Sequence, residues 1–507
     1  MSFDPPAGMS IPTTAVHAHE DLAALIRAGA PLIAIDTDEE PEVIQTFRHV
    51  IAQTLRPLFS WSVTQGLKRL DFADDVPGRT CGPSEVLQVI RESTQRGIYL
   101  LLDFAPYLRY VATLRHLREI SQRQGCAEHT VVLIGTKLDL PAELERLATP
   151  FRMKLPSEEA LSKMVREEAS AFSREQGGKR VQVHLPSLNA IARCLRGLSL
   201  SDARRIARRL IVHDGALTAS DVAMAAKLKF ELLGDSSVLH FEIDDAKLED
   251  VAGLAALKRW VAQRRAVFRG EGPSGQLDPP RGVLLLGVQG CGKSLAAKAI
   301  AGGFGVPLLR LEMASLYNKF HGETERNLRE ALDRADQMTP CVLWIDEIEK
   351  GLAGGSADDG VSRRVLGFLL TWMAERKHPV FLVATANAIE QLPPELLRKG
   401  RFDEIFFVDL PSAEVRQQVL ELHLKRRQLD PQQFALARLA ELAEGFSGAE
   451  LEQAVVSALY AAHADQVPLS NSHLLAELRR TRPLSVVMAE KVDALREWAR
   501  GRTVLAD

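Results

Sequence analysis

Cysteine is scarce and carries no pattern: five residues in 507, at positions 81, 126, 194, 291 and 341, with no CxxC pair among them. That excludes a disulfide framework and a cysteine-rich zinc site. No run approaches about 18 apolar residues, so no membrane-spanning helix is expected. The opening MSFDPPAGMSIPTTAVHAHE sets no basic stretch ahead of an apolar one, so a cytoplasmic chain without a secretory signal is expected. An excess of either charge is missing too, since 63 Lys and Arg stand against 66 Asp and Glu. No polybasic tail for nucleic acid or an anionic membrane is therefore expected. What is there, 46% hydrophobic and 25% charged residues, describes an ordinary globular chain. Its length exceeds one comfortable core and points to roughly two to four domains.

One stretch carries chemistry at once. RGVLLLGVQGCGKSLAAKAI (281 to 300) runs an apolar strand into Gly287-Val288-Gln289-Gly290-Cys291-Gly292-Lys293-Ser294, and an alanine-rich helix opens behind it at Leu295. The pattern GxxxxGK[ST] would arise by chance in such a chain about 2% of the time. A strand apolar on both faces before it and a helix after it make accident much rarer. In that arrangement successive backbone N–H groups and a helix N-terminus point at phosphate. Gly287, Gly290 and Gly292 permit close backbone approach. Lys293 offers a cation to the β- and γ-phosphates and Ser294 a hydroxyl to Mg²⁺.

The partners of a phosphate site follow in order. PCVLWIDEIEKG ends a strand on Asp346 and Glu347, suited to a Mg²⁺ contact and to the base that orients the attacking water. PVFLVATANAI ends on Asn387, a neutral group placed for the water or the γ-phosphate. LPPELLRKGRFDEIFFVDLP brings Arg398 and Arg401, permanently charged donors suited to a transition state.

Together these segments resemble the AAA+ ATPase superfamily over about residues 245 to 465, with DEIEK, ATAN and LLRKGRFDEIFFVDLP at its Walker B, sensor 1 and arginine-finger positions. The resemblance implies ATP hydrolysis with Mg²⁺, and ATP or ADP as the bound nucleotide. It also implies arginines acting in trans in an ATP-promoted homo-oligomeric ring, usually a hexamer. It places Val251 and Ala252, His423 and the lid-helix residues Gly448 and Ala449 against the nucleotide. Gly448 and Ala449 stand where a second sensor arginine is absent. LYNKFHGETERN puts Phe320 at the first pore loop. QGCGKSLAAKAIA, WIDEIEKG, ATANAI and the tail RPLSVVMAEKVDALREWARGR further resemble the Ycf46 family of cyanobacterial, plastid and other bacterial AAA proteins, which shares Val288-Gln289 in the loop.

The first half reads as a worn copy of the second. TVVLIGTKLDLPAELERLATPFRMKLPSEEAL (130 to 161) parallels residues 379 to 415, and GLSLSDARRIARRLI (197 to 211) parallels GFSGAELEQAVVSAL (445 to 459). GIYLLLDF then sets Asp103 opposite Asp346 and Phe104 opposite Glu347. After the first strand, APLIAIDTDEEPEVIQTF has no glycine loop and no lysine; Asp36, Asp38, Glu39 and Glu40 would repel phosphate. Arg146 is the nearest counterpart to the two arginines. The string IGTKLD resembles a guanine-reading motif, but residues 30 to 45 supply no phosphate loop for it.

The expected architecture is thus α/β throughout. A degenerate AAA-like domain without a P-loop (1–155) and a helical lid-like segment (156–235) precede a P-loop AAA+ core with a three-layer parallel sheet (245–412) and a C-terminal helical lid (413–507). The expected function is an ATPase ring that remodels or threads a protein, the first half serving as inactive adaptor or assembly domain. The alternative is a nucleotide-dependent switch or scaffold that docks a partner. A nucleic-acid loader is disfavoured, with only the arginines of DARRIARRLIV (204, 205, 208 and 209) in its favour.

Overall fold

The computed structural model describes the chain except residues 1–12, 72–81, 124–126, 137, 177–180, 235–236, 243–250, 272–276, 317–322, 353–358, 377 and 399. Phe320, the expected pore residue, lies outside the described residues. The chain divides into two compact units, residues 1–192 with 196–217, and 193–195 with 218–507.

The first unit holds strands β1 (Leu32–Asp36), β2 (Leu58–Ser62), β3 (Gly66–Arg69), β4 (Ile98–Leu102), β5 (Thr130–Gly135) and β6 (Ala148–Phe151) in the order β3-β2-β4-β5-β1-β6. All neighbours are parallel except β2 and β3. Alternation puts Leu32, Leu101, Val131 and Leu133 into one apolar layer and Ile33, Ile35, Leu100, Val132 and Ile134 into the other. Both faces are therefore covered, as parallel strands require. A short pair, β7 (Gln182–Val183) and β8 (Ala216–Leu217), lies among the helices that follow.

The second unit carries β9 (Leu239–Glu242), β10 (Gly282–Gly287), β11 (Leu308–Leu311), β12 (Cys341–Ile345), β13 (Val380–Ala386), β14 (Glu404–Val408) and β15 (Val504–Leu505) in the order β15-β14-β10-β13-β12-β11-β9. Val283 and Leu285 face the helices Ala255–Phe268 and Lys293–Phe304. Leu284 and Leu286 face the helices Glu323–Gln337 and Asp359–Glu375. The sheet is three-layered as expected, but β9 is antiparallel to β11, so its edge is mixed.

Counting only the crossover-linked parallel strands in chain order, both sheets run fifth, first, fourth, third, second: β6-β1-β5-β4-β2 and β14-β10-β13-β12-β11. The repeat read from the sequence therefore extends to topology. Its register needs one correction. The left-handed residue after β12 is Glu347 (φ 48°), whereas after β4 it is Asp103 (φ 51°). By backbone conformation Asp103 stands where Glu347 does. Phe104 has no exposure and belongs to the apolar layer beside Trp61.

The helical segment expected at 156–235 is also divided. Helix Ala219–Leu232 belongs with the second unit, where Lys229 is fully buried and Phe230 packs against Phe241 of β9. Three arginines of helix Leu200–Asp214 are engaged with carboxylates. Arg204 meets Glu168 at 3.0 Å, Arg208 meets Glu175 at 2.8 Å and Arg205 meets Asp202 at 3.0 Å. That is not a bare stripe for a nucleic-acid backbone. Among the described residues no helix is long and apolar enough to cross a membrane.

The C-terminal lid has its own core, built by Leu420, Leu424, Phe446, Leu451, Val455 and Leu478. Past it the chain returns to the sheet through helix Ala489–Ala499, whose Arg496 grips both carboxylate oxygens of Asp409 at 3.0 Å. β15 then pairs with β14, and the Ala506 carbonyl accepts from Ala256 and Leu257 at 3.0 and 3.1 Å. The Asp507 carboxylate accepts from Leu254, the cap of helix Ala255–Phe268. Deleting residues 504–507 strips these acceptors from a helix start and should lower stability by about 2 kcal/mol, roughly 4–8 °C in unfolding temperature. Calorimetry checks this; a truncated chain melting within a degree of the parent would show that the strand holds nothing.

Candidate functional site

β10 ends beneath its own loop. A Cβ on Gly287 would stand 2.0 Å from the Val408 carbonyl, and that carbonyl accepts from Val288 at 3.1 Å. Only glycine fits between these strands. Gly290 and Gly292 hold φ of 79° and 89°, turning the loop into helix Lys293–Phe304. The lid closes on this turn: Ala449 donates to the Gly290 carbonyl at 3.0 Å, and a Cβ on Gly290 would meet Ser447 Oγ at 2.9 Å.

Lys293 is buried, with Nζ donating to the carbonyls of Gly287 and Val288 at 2.8 and 2.9 Å. Burial pushes its pKa down to about 8, against the opposing pull of Glu349, Asp346 and Glu347. Burial likewise pushes the Cys291 thiol up to about 12, which makes it an inert filler of the loop.

The carboxylates past β12 are tied to β13. Thr385 Oγ1 donates to Asp346 at 2.6 Å and accepts the Glu347 N–H at 3.0 Å. Asn387 Nδ2 donates to Glu347 Oε1 at 2.9 Å, while Lys350 meets Oε2 at 2.5 Å. Asp346 is also approached by Arg310 of β11 at 3.8 Å.

These groups surround one cavity of about 560 Å³. Of the residues singled out in the sequence, Val251, Ala252, Gln289 through Leu295, Asp346, Glu347, Asn387, His423, Gly448 and Ala449 line it. Gly287 and Val288 lie beneath it. Arg398 and Arg401 do not line it: Arg398 is exposed, and Arg401 donates to the Leu370 carbonyl at 3.1 Å.

Sequence reasoning missed Thr385, Val419, Leu422, Arg426 and Glu452, which also line the cavity. A signal for most of them was present. Val419, Leu422, His423 and Arg426 fall at i, i+3, i+4 and i+7 of helix Ala413–Arg426, one face turned to the cavity. His423 is held 3.5 Å from Glu452, and burial pushes its pKa down while Glu452 pulls it up.

The donor set fits a nucleoside triphosphate. A loop of backbone N–H groups and a buried ammonium suit phosphates, and the apolar face of Val251, Val419 and Leu422 suits a base. Ser294 and Asp346 both line the cavity, a sparse set of the kind Mg²⁺ uses when phosphates and water complete its shell. Because Lys293 loses its charge as pH rises through about 8, the dissociation constant of ATP should climb above that pH, by up to about tenfold per unit. Lys293→Met should bind weakly with a flat profile. Titration of a fluorescent ATP analogue from acid to alkaline pH checks both; a slope retained in the variant would assign it elsewhere.

Three family models match the chain. They are the SpoVK-like AAA ATPase N-terminal domain at residues 18–153, the SpoVK-like AAA ATPase second domain at 159–236, and the ATPase family associated with various cellular activities (AAA) at 283–410. The AAA domain-containing protein ycf46 of Trieres chinensis is 32% identical over 495 residues, covering 96% of this chain and 98% of its own. That of Guillardia theta is 33% identical over 486 residues, covering 95% and 94%. The proteasome-activating nucleotidase of Aeropyrum pernix is 40% identical over 191 residues, 36% of this chain and 46% of that protein. End-to-end likeness of this kind, joined to an ATPase domain that carries the glycine loop, Asp346, Glu347 and Asn387, makes the chain an AAA+ ATPase that hydrolyses ATP and a member of the ycf46 family.

Proposed function

We propose that the chain works as a Mg²⁺-dependent ring ATPase, a homo-oligomer of about six subunits assembled by ATP, whose hydrolysis remodels a protein partner. One observation carries the oligomeric part. Lys293 and Arg426 are the fixed cations lining the cavity among the described residues, and Arg426 stands on the lid helix beside His423. The arginines of the turn before β14 belong to no wall of their own site, which suits fingers reaching a neighbouring subunit. Arg398, exposed, fits the finger, while Arg401, bonded to its own Leu370, fits the anchor of that turn.

Within the site, Glu347 Oε1 accepts the proton of the attacking water and Asn387 keeps that oxygen aimed. Lys293 and the loop N–H groups take the phosphates. Ser294 and Asp346 would hold Mg²⁺, which when bound would supply positive charge against the phosphates. The likeness to a relative named as a proteasome-activating nucleotidase supports a protein as the thing acted upon.

The first unit supports an adaptor or assembly role without ATP. Its loop after β1 is three residues, Thr37 to Glu39, and leads straight into helix Glu40–Thr54. Burial and the neighbouring Asp103 push the Glu40 carboxyl up, and the Ser201 hydroxyl donates to Glu39. Such an acidic mouth repels phosphate.

Particle mass of Glu347→Gln with and without ATP and Mg²⁺ tests the ring. A shift from monomer to a closed assembly is expected; a nucleotide-bound monomer at high concentration would overturn it and favour a switch completed by another protein. Arg398→Ala should lower kcat by roughly 10³-fold or more with binding intact. Arg401→Ala should lose less, about tenfold, through displacement of the turn. Equal losses in the two would remove the distinction between finger and anchor.

A further inference from the structure

One carboxylate of the turn after β12 breaks the ordinary rule of solvation. Glu349, in the short helix Ile348–Leu352, is 3% exposed. Its Oε1 accepts the backbone N–H of Asn387 at 2.9 Å. Its Oε2 is buried without a hydrogen-bond partner. Glutamate is almost never fully buried unless paired, and an unsatisfied buried polar atom is costly, more so when charged. Stability alone is a poor reason for such a group, since its neighbours Ile348 and Leu352 belong to the apolar layer against β12 and β13.

The bond it does make leads into the chemistry. Asn387 follows the last residue of β13. Its side-chain Nδ2 donates to Glu347 Oε1 at 2.9 Å. Glu347 has left-handed φ, and its N–H is held by Thr385 Oγ1 at 3.0 Å. The direction of the Glu347 carboxylate is thus set from two residues of the β13 end. Glu349 clamps the outer one.

We propose that Glu349 is a positioning residue for ATP hydrolysis: by holding the Asn387 amide it fixes the point at which Asn387 Nδ2 meets Glu347 Oε1. Glu349 does not line the cavity; its hydrogen bond leads there through Asn387. This rests on Glu347 as the base. A displacement of about 1 Å in the aim of a base can cost on the order of 10²-fold in rate. Loss of the clamp therefore falls on kcat and spares KM.

The test is steady-state ATP hydrolysis by the full chain carrying Glu349→Met, which keeps the length and removes the acceptor, and Glu349→Gln, which keeps an acceptor oxygen at the same reach. Met should lower kcat by about tenfold or more, with KM and the affinity for a fluorescent ATP analogue within about twofold. Gln should bring kcat back to within about threefold of the parent. Full activity in the Met variant, a rise in KM together with the fall in kcat, or no rescue by Gln would each overturn the proposal. If Met does not fold, Glu349→Ala is read in the same way; failure of both to fold while Gln folds would make the residue structural and overturn it too. Glu347→Gln run alongside separates the two readings. Retained turnover there removes the base itself, whereas an inactive Glu347→Gln with an active Glu349→Met removes only the clamp.

Discussion

A missing side chain holds the ATPase unit together. At Gly287 the backbones of β10 and β14 come so close that a single added carbon would strike the Val408 carbonyl. That approach lets Val408 receive the Val288 N–H and starts the loop low enough for Lys293 to turn back over it. The ammonium donates to the carbonyls of Gly287 and Val288. It stays buried, and burial pushes its pKa down to about 8. The lid then seats on the same turn through Ala449. Strand pairing, cation placement and lid closure all follow from one absent methyl group.

The first unit shows what the fold becomes without that constraint. Its sheet repeats the strand order, its lid-like helix Leu200–Asp214 begins at a Ser199 cap as helix Gly448–Ala464 begins at Ser447, and Gly197 and Gly445 precede the two caps with φ of 85° and 82°. Yet between β1 and its helix there is no room for a cradle. Where Ala449 meets the Gly290 carbonyl in one unit, the Ser201 hydroxyl meets the Glu39 carboxylate in the other. The contact made by a phosphate-loop carbonyl in one unit is made between side chains in the other.

Much of this was legible in the residues. Buried parallel strands announce themselves as unbroken apolar runs, and GVLLLG does so before its glycine loop. The two-fold recurrence showed in turn residues and caps, which are local and therefore survive in sequence. What was not legible depends on pairing across space. The antiparallel edge β9 leaves little trace in the sequence because only four residues form it and their partner lies in β11. Phe104 fell opposite Glu347 because a shift of one position in a strand end leaves the hydrophobic pattern almost unchanged, while the φ of Asp103 settles the register. Glu349 was invisible for a similar reason. In the string DEIEK every carboxylate looks alike, and burial alone tells the one that faces inward from the two that face the cavity.

The return of the chain from the lid to the sheet has a mechanical consequence. A terminal lid attached only through Pro411 and Ser412 would be a pendulum, free to swing about one joint. Here the far end is moored as well, by Arg496 on Asp409 and by β15 along β14. A body fastened at two points can rotate only about the line that joins them. Any opening over the nucleotide therefore loads the pairing of β15 with β14 as the lid turns.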